Sequence, residues 1–158
     1  MGTQIWTRRG NGMNATTAGS SRTGGSAADV PLIRFEGGIP GFPDVRAFVL
    51  QTIPDHERWF RLIGEEGEPA FLVVDPFLIV PDYEIEVPDD LLPGAKQEDV
   101  MVLAIVRVPE DPREATVNLR APLVVDMRHR RGVQWVPTES PHSLRHPLFP
   151  HRPEAVGV

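Results

Sequence analysis

Residues 71–84 read FLVVDPFLIVPDYE: two apolar runs, Phe71-Leu72-Val73-Val74 and Phe77-Leu78-Ile79-Val80, hinged at Asp75-Pro76 and closed by Pro81-Asp82. Proline has no amide hydrogen for a sheet ladder, which keeps Pro76 out of the middle of a central strand. Each run is rich in β-branched and aromatic residues and too short for a helix. The expectation is a strand, a bend, and a second strand that turns a corner over a core. Asp75 reads as the cap of that bend through backbone amides. A buried general acid or base with a raised pKa is the alternative.

Downstream, Tyr83-Glu84-Ile85-Glu86-Val87 alternates with period two, which points Tyr83, Ile85 and Val87 inward and the two glutamates to water. Pro88 to Gly94 is a connector with room for one helical turn. Val100 to Val108 is apolar on both faces apart from Arg107, the pattern of a central strand. From Thr116 to Met127 the alternation places Val117, Leu119, Ala121, Leu123, Val125 and Met127 on one face, with Pro122 implying an edge or a bulge. Arg128 to Gly132 is a hairpin loop and Val133 to Val136 the returning strand. From Pro137 onward the chain is rich in Pro and His and ends irregularly or in a short helix.

Upstream, Val30 to Phe35 is a strand. Glu36 to Pro43 holds three glycines and two prolines in eight residues. No helix and no Lys-Ser or Lys-Thr pair follows, so this is a turn that plants Phe42 in the core rather than a phosphate cradle. Asp44 to Leu50 suggests one capped helical turn leading into a strand. Trp59 to Ile63 is a strand, and Glu65 to Pro69 a polar hairpin turn. Short strands punctuated by Pro and Gly, without a sustained helical period, define an all-β, compact β-barrel-like domain with one or two short helical turns.

Composition divides the 158 residues. Residues 1–28 hold six Gly, five Thr and three Ser and no acid, and are expected to be a disordered arm. The barrel domain is expected over 29–148, with a flexible tail over 149–158. The net charge is −6, yet Gly64 to Asp99 carries eleven acids against Lys96 alone. An acidic body disfavours direct nucleic-acid binding and steers basic partners, although acidity also serves plain solubility. Without cysteine there is no disulfide framework. No signal peptide is recognisable, and no apolar run spans a bilayer of roughly 30 Å. A cytoplasmic protein without membrane contact is the expectation.

The chemical candidates are sparse. His142 and His146 have i,i+4 spacing, and His129 and His151 lie near them in sequence, but Pro141, Pro147 and Pro150 argue against a shared helix. No metal or other cofactor is assigned, and no catalytic residue. Ser140 and Ser143 flank His142 without a nucleophile elbow. Arg128-His129-Arg130-Arg131 is a solvated hairpin tip or a small contact for phosphate or an acidic partner. The rival to a binding module is a small β-barrel enzyme using Asp75 or the C-terminal His cluster.

Five motifs carry a resemblance over residues 30–148. They are Phe35-Glu36-Gly37-Gly38-Ile39-Pro40-Gly41-Phe42, the stretch Phe71 to Glu84, Val108-Pro109-Glu110-Asp111-Pro112, Thr116-Val117-Asn118-Leu119-Arg120-Ala121-Pro122, and Ser143-Leu144-Arg145-His146-Pro147-Leu148. In this order the chain resembles the FliW family of flagellar assembly factors. The resemblance implies a β-barrel-like fold, no enzymatic activity, and two partners in the bacterial cytoplasm. One is flagellin, held before export. The other is CsrA, an RNA-binding translational repressor that such a protein antagonises without occupying its RNA surface. The free protein is expected to be a monomer. An RNA-binding repressor carries positive surface, so Asp82, Glu84, Glu86, Asp89 and Asp90 are the expected CsrA-facing residues. Gly41, Asn118 and Pro122 read as structural. One departure stands out. Family members open with a strand of the type Phe-Gly-x-Ile-x-Val, where this chain has the Gly/Thr arm and only Gln4-Ile5-Trp6-Thr7 resembles a strand. Either that strand is lost or the start is misassigned, and the barrel is expected to have an open edge.

Overall fold

The computed structural model describes residues 3–6, 32–39 and 41–149. In chain order these form β1 (Thr3–Trp6), β2 (Leu32–Phe35), β3 (Ala47–Ile53), β4 (His56–Gly64), β5 (Ala70–Val74), the one-turn helix α1 (Pro76–Ile79), β6 (Ile85–Pro88), β7 (Val100–Arg107), β8 (Thr116–Val117), β9 (Leu123–Asp126), β10 (Arg131–Gln134) and β11 (His146–Pro147). Single 3₁₀ turns at Gln97–Asp99 and Pro112–Glu114 complete the regular structure of the described residues.

Seven strands close a barrel in the order β7-β5-β4-β3-β2-β10-β9 and back to β7. Closure comes from β7, which pairs with β5 at Leu72↔Val106 through Val74↔Ala104 and with β9 at Val100↔Asp126 through Leu103↔Leu123. Every pairing is antiparallel except β10 with β2. The barrel is therefore closed without β1, and the expectation of an open edge there is corrected. Within the stretch 1–28, Thr3–Trp6 is a strand that pairs antiparallel with β6, in a two-stranded sheet of its own. The rest of that stretch, and residues 150–158 of the tail, lie outside the described residues.

The two-faced apolarity of β7 has a concrete cause. Alternate side chains point to opposite faces of a strand, and here each face meets a different core. Met101 and Leu103 fill the barrel with Phe35, Phe48, Leu62 and Leu123. Val100, Val102, Ala104 and Val106 face outward, under a second core that α1 and β6 close with Phe77, Tyr83, Ile85 and Val87.

The opening stretch folds differently from its expectation in its second half. Phe71 to Val74 lies in β5, but Phe77 to Ile79 lies in α1 rather than in a strand. Pro76 has the backbone angle a helix needs at its first position and lacks only a hydrogen that would be unpaired there. Asp75 caps the turn, its Oδ1 accepting from Phe77 N at 2.9 Å. The cap reading is borne out.

Three further expectations are corrected. No single face runs from Thr116 to Met127. Asn118 Oδ1 accepts from Arg120 N at 3.1 Å and Ala121 N at 3.0 Å, which breaks the strand into β8 and β9. Val117 and Leu119 consequently face the outer core, while Leu123 and Val125 face the barrel. Ala47 to Leu50 is already strand, with no helical turn before it. In the glycine-rich turn it is Ile39 that is buried, 2% exposed, whereas Phe42 is 41% exposed and leans edge-on against Phe71. Gly38 sets that geometry. Its φ is +70°, and a Cβ there would lie 2.8 Å from the Pro43 backbone.

Candidate protein-binding face

The acidic strand is built from the core outward. Tyr83 is fully buried, packs edge-on against Phe77, and donates from its hydroxyl to the Leu119 carbonyl at 2.8 Å. Burial raises its pKa above the ordinary tyrosine value, so it remains a neutral donor. Ile85 and Val87 follow it into the outer core, each 6% exposed. The alternation then leaves Glu84 and Glu86 in solvent. Tyr83→Phe should cost about 1 to 2 kcal/mol, because it strands a buried carbonyl, and thermal unfolding checks this.

Both edges of β6 are engaged. Carbonyls two residues apart point to the same edge, and on that edge Trp135 Nε1 donates to Glu86 O at 2.8 Å and His142 Nε2 to Glu84 O at 2.7 Å. The second bond assigns the ring hydrogen of His142 to Nε2. The ring also packs against Tyr83, tilted by 45° with centroids 4.5 Å apart. The opposite edge pairs with β1, Trp6 opposite Ile85 and Gln4 opposite Val87.

Asp82, Glu84, Glu86, Asp89 and Asp90 are all exposed, in and on either side of β6. Asp82, Glu84 and Glu86 line an open groove of about 900 Å³ whose far wall is Trp135, Glu139 and His142. Carboxylates facing an aromatic wall suit an arginine or lysine side chain. Trp135, Glu139 and His142 were not recognisable as part of this face, since about fifty residues separate them from β6. The one available signal was Glu139, one of two acids in a tail rich in Arg and His.

The chemical candidates do not converge. Asp75 is spent on α1 and lies 3.8 Å from Arg58 Nε. The hydroxyl of Ser140 accepts from His142 N and that of Ser143 from Arg145 N, so both serve local turns. His129 contacts Asp126, His142 contacts Glu84, and His146 sits in β11 beside Val117. His151 lies outside the described residues. Among the described residues no group of three His, Cys, Asp or Glu is placed to hold a metal ion.

The Arg128 to Arg131 tip is organised by a residue that the sequence reading passed over. Asp126 is 0% exposed. Its Oδ1 accepts from the Arg128 and His129 amides, and its Oδ2 meets His129 Nδ1 at 2.8 Å and Arg131 Nε at 3.1 Å. Arg131 also donates to the Pro93 carbonyl. Arg131 and His129 are thus turned onto the protein, and Arg128 and Arg130 are exposed.

A β-barrel carrying an acidic groove on its outer layer is the class of structure these features define. The model for the family described as FliW protein matches residues 17–148. The flagellar assembly factor FliW of Caldicellulosiruptor saccharolyticus is 36% identical over 121 residues, spanning 75% of this chain and 80% of that one. The protein of the same name from Anoxybacillus flavithermus is 35% identical over 133 residues, spanning 81% and 90%. A crystal structure of the flagellar assembly factor FliW superposes with a TM-score of 0.70 at 31% identity, covering 77% of this chain and 88% of that one. The chain belongs to the FliW family.

Proposed function

We propose that this protein acts in the cytoplasm as a flagellar assembly factor that binds CsrA through its acidic face, relieving repression of flagellin translation, and that it also holds flagellin before export. The observation that carries the reading is the exposure of Asp82, Glu84, Glu86, Asp89 and Asp90 around one strand that a buried core anchors. Family membership, with relatives named flagellar assembly factors, supports it. A positively charged partner would be steered to such a face before it makes close contact.

The test is the double reversal Glu84→Lys/Glu86→Lys, with purified CsrA and flagellin presented separately and in competition. Both side chains are exposed, so the stability measured by thermal unfolding should change by no more than about 1 kcal/mol. The association rate with CsrA should fall roughly tenfold or more at low salt, with the difference shrinking as salt rises. CsrA binding unchanged in rate and affinity overturns the assignment of this face. Retention of neither partner by the wild-type protein overturns the function.

A further inference from the structure

β6 is held in place without help from β1. Ile85 and Val87 anchor it in the outer core, and Trp135 and His142 hold the carbonyls of one edge. β1 is placed differently. It pairs over four residues, in a two-stranded sheet apart from the barrel sheet. Two-stranded pairings of this size are marginal in water. Between β1 and β2 stand residues 7–31, with five glycines, four threonines and three serines. Residues 7–31 join β1 covalently to β2, so β1 is an intramolecular occupant of that edge. The edge that β1 fills is therefore a preformed strand acceptor with a weakly held occupant.

The flanking charges describe what else fits. An antiparallel strand on β6 runs from Pro88 towards Asp82. Residues that follow its paired segment come towards Glu84 and Asp82, where cations are favoured. The resident sequence obeys this rule, since Thr3-Gln4-Ile5-Trp6 is followed by Thr7-Arg8-Arg9. We propose that the edge of β6 filled by β1 is a strand-acceptor site at which an extended segment of a basic partner, with arginine or lysine beyond the paired residues, replaces β1, so that β1 is an intramolecular competitor for the acidic face. This rests on the reading that the acidic face receives a basic protein.

The probe is a labelled synthetic peptide copying residues 3–9, added to the full-length protein. In the double variant Gln4→Pro/Trp6→Pro the resident strand loses its ladder donors. The peptide should bind this variant at least about tenfold more tightly than the wild type, because the competitor no longer occupies the edge. Raising the salt should weaken that binding, and a peptide with both arginines replaced by glutamate should bind at least about tenfold more weakly. Equal binding to variant and wild type, or no binding to a variant whose circular dichroism matches the wild type, overturns the proposal. Hydrogen exchange on the wild type gives a second reading. The Ile85 and Val87 amides, which face β1, should exchange at least about a hundredfold faster than that of Val102 in β7. Equal protection overturns exchangeability. CsrA enters neither measurement, so failure here is distinguishable from failure of the Glu84/Glu86 reversal.

Discussion

Asp126→Ala is expected to destabilise the protein by about 3 kcal/mol, a fall of roughly 10 °C in melting temperature for a domain of this size. The carboxylate is wholly buried and accepts from two backbone amides, the His129 ring and the Arg131 guanidinium. Alanine removes the acceptor and leaves those donors around an apolar stub. The turn joining β9 to β10 loses its internal support, and Arg131 loses the carboxylate that aligns it on the Pro93 loop. Asp126→Asn, similar in shape, should cost less but more than 1 kcal/mol, because the amide nitrogen that replaces one carboxylate oxygen cannot accept from the donors that oxygen serves. Thermal unfolding at pH 7 checks both. Acid titration checks the cause. Burial by itself raises the Asp126 pKa, but the bonds from His129 and Arg131 outweigh it and hold the group below the ordinary carboxylate range. The unfolded chain therefore takes up this proton near pH 4, before the folded protein does. The contribution is whole above about pH 4 and is lost as the pH falls through the lower folded value. The acid limb of the stability curve should be shallower in Asp126→Asn. An acid limb identical to the wild type would rule out Asp126 as its source.

Gly64→Ala is expected to have an effect of the same size, about 3 kcal/mol, by a different route. Gly64 ends β4, its amide bonds the Pro69 carbonyl, and its own carbonyl accepts from Gly67. A Cβ built there would lie 2.2 Å from the Glu68 carbonyl oxygen and 2.7 Å from its carbon. The obstacle is backbone, with no side-chain rotamer to swing away. The hairpin has to open, and the pairing of Ile63 with Ala70 beside it has to give. Gly67→Ala is the informative comparison. Nothing lies near its Cβ, but its φ of +96° is left-handed, so its cost is conformational and about 1 kcal/mol. Denaturant unfolding of the two variants separates the steric from the conformational contribution. Equal midpoints would mean that the hairpin relaxes freely around Gly64.

Periodicity in the chain specified most of the strands and the all-β class. Val100 to Arg107 could only be a strand buried on both faces, and Tyr83 to Val87 could only present alternate glutamates, because side-chain direction in a strand has a period of two whatever it packs on. Asp75 as a cap was equally local, since its carboxylate and the Phe77 amide lie two residues apart. The exposure of Glu84 and Glu86 followed from the alternation over Tyr83 to Val87, and Asp82, Asp89 and Asp90 lie in the turns on either side of it. Phe77 to Ile79 was not decidable in this way. Four apolar residues after a proline suit a strand or a helical turn, and the choice fell to the Asp75 cap and the space above β7. The face change at Asn118 was invisible for a related reason. One side chain bonding two amides shifts the register by a residue, and hydrophobic patterning does not record which residue is skipped. Asp126 looked like any acid at a strand end until the fold buried it between His129 and Arg131. Strand identity, charge and local caps are properties of near neighbours in the chain. The double core, the closure of β7 on β9, the Trp135 and His142 wall of the acidic groove, and the pairing of Thr3–Trp6 with β6 join residues from about 20 to more than 80 positions apart, and contacts of that span exist only once the backbone has been folded around its two cores.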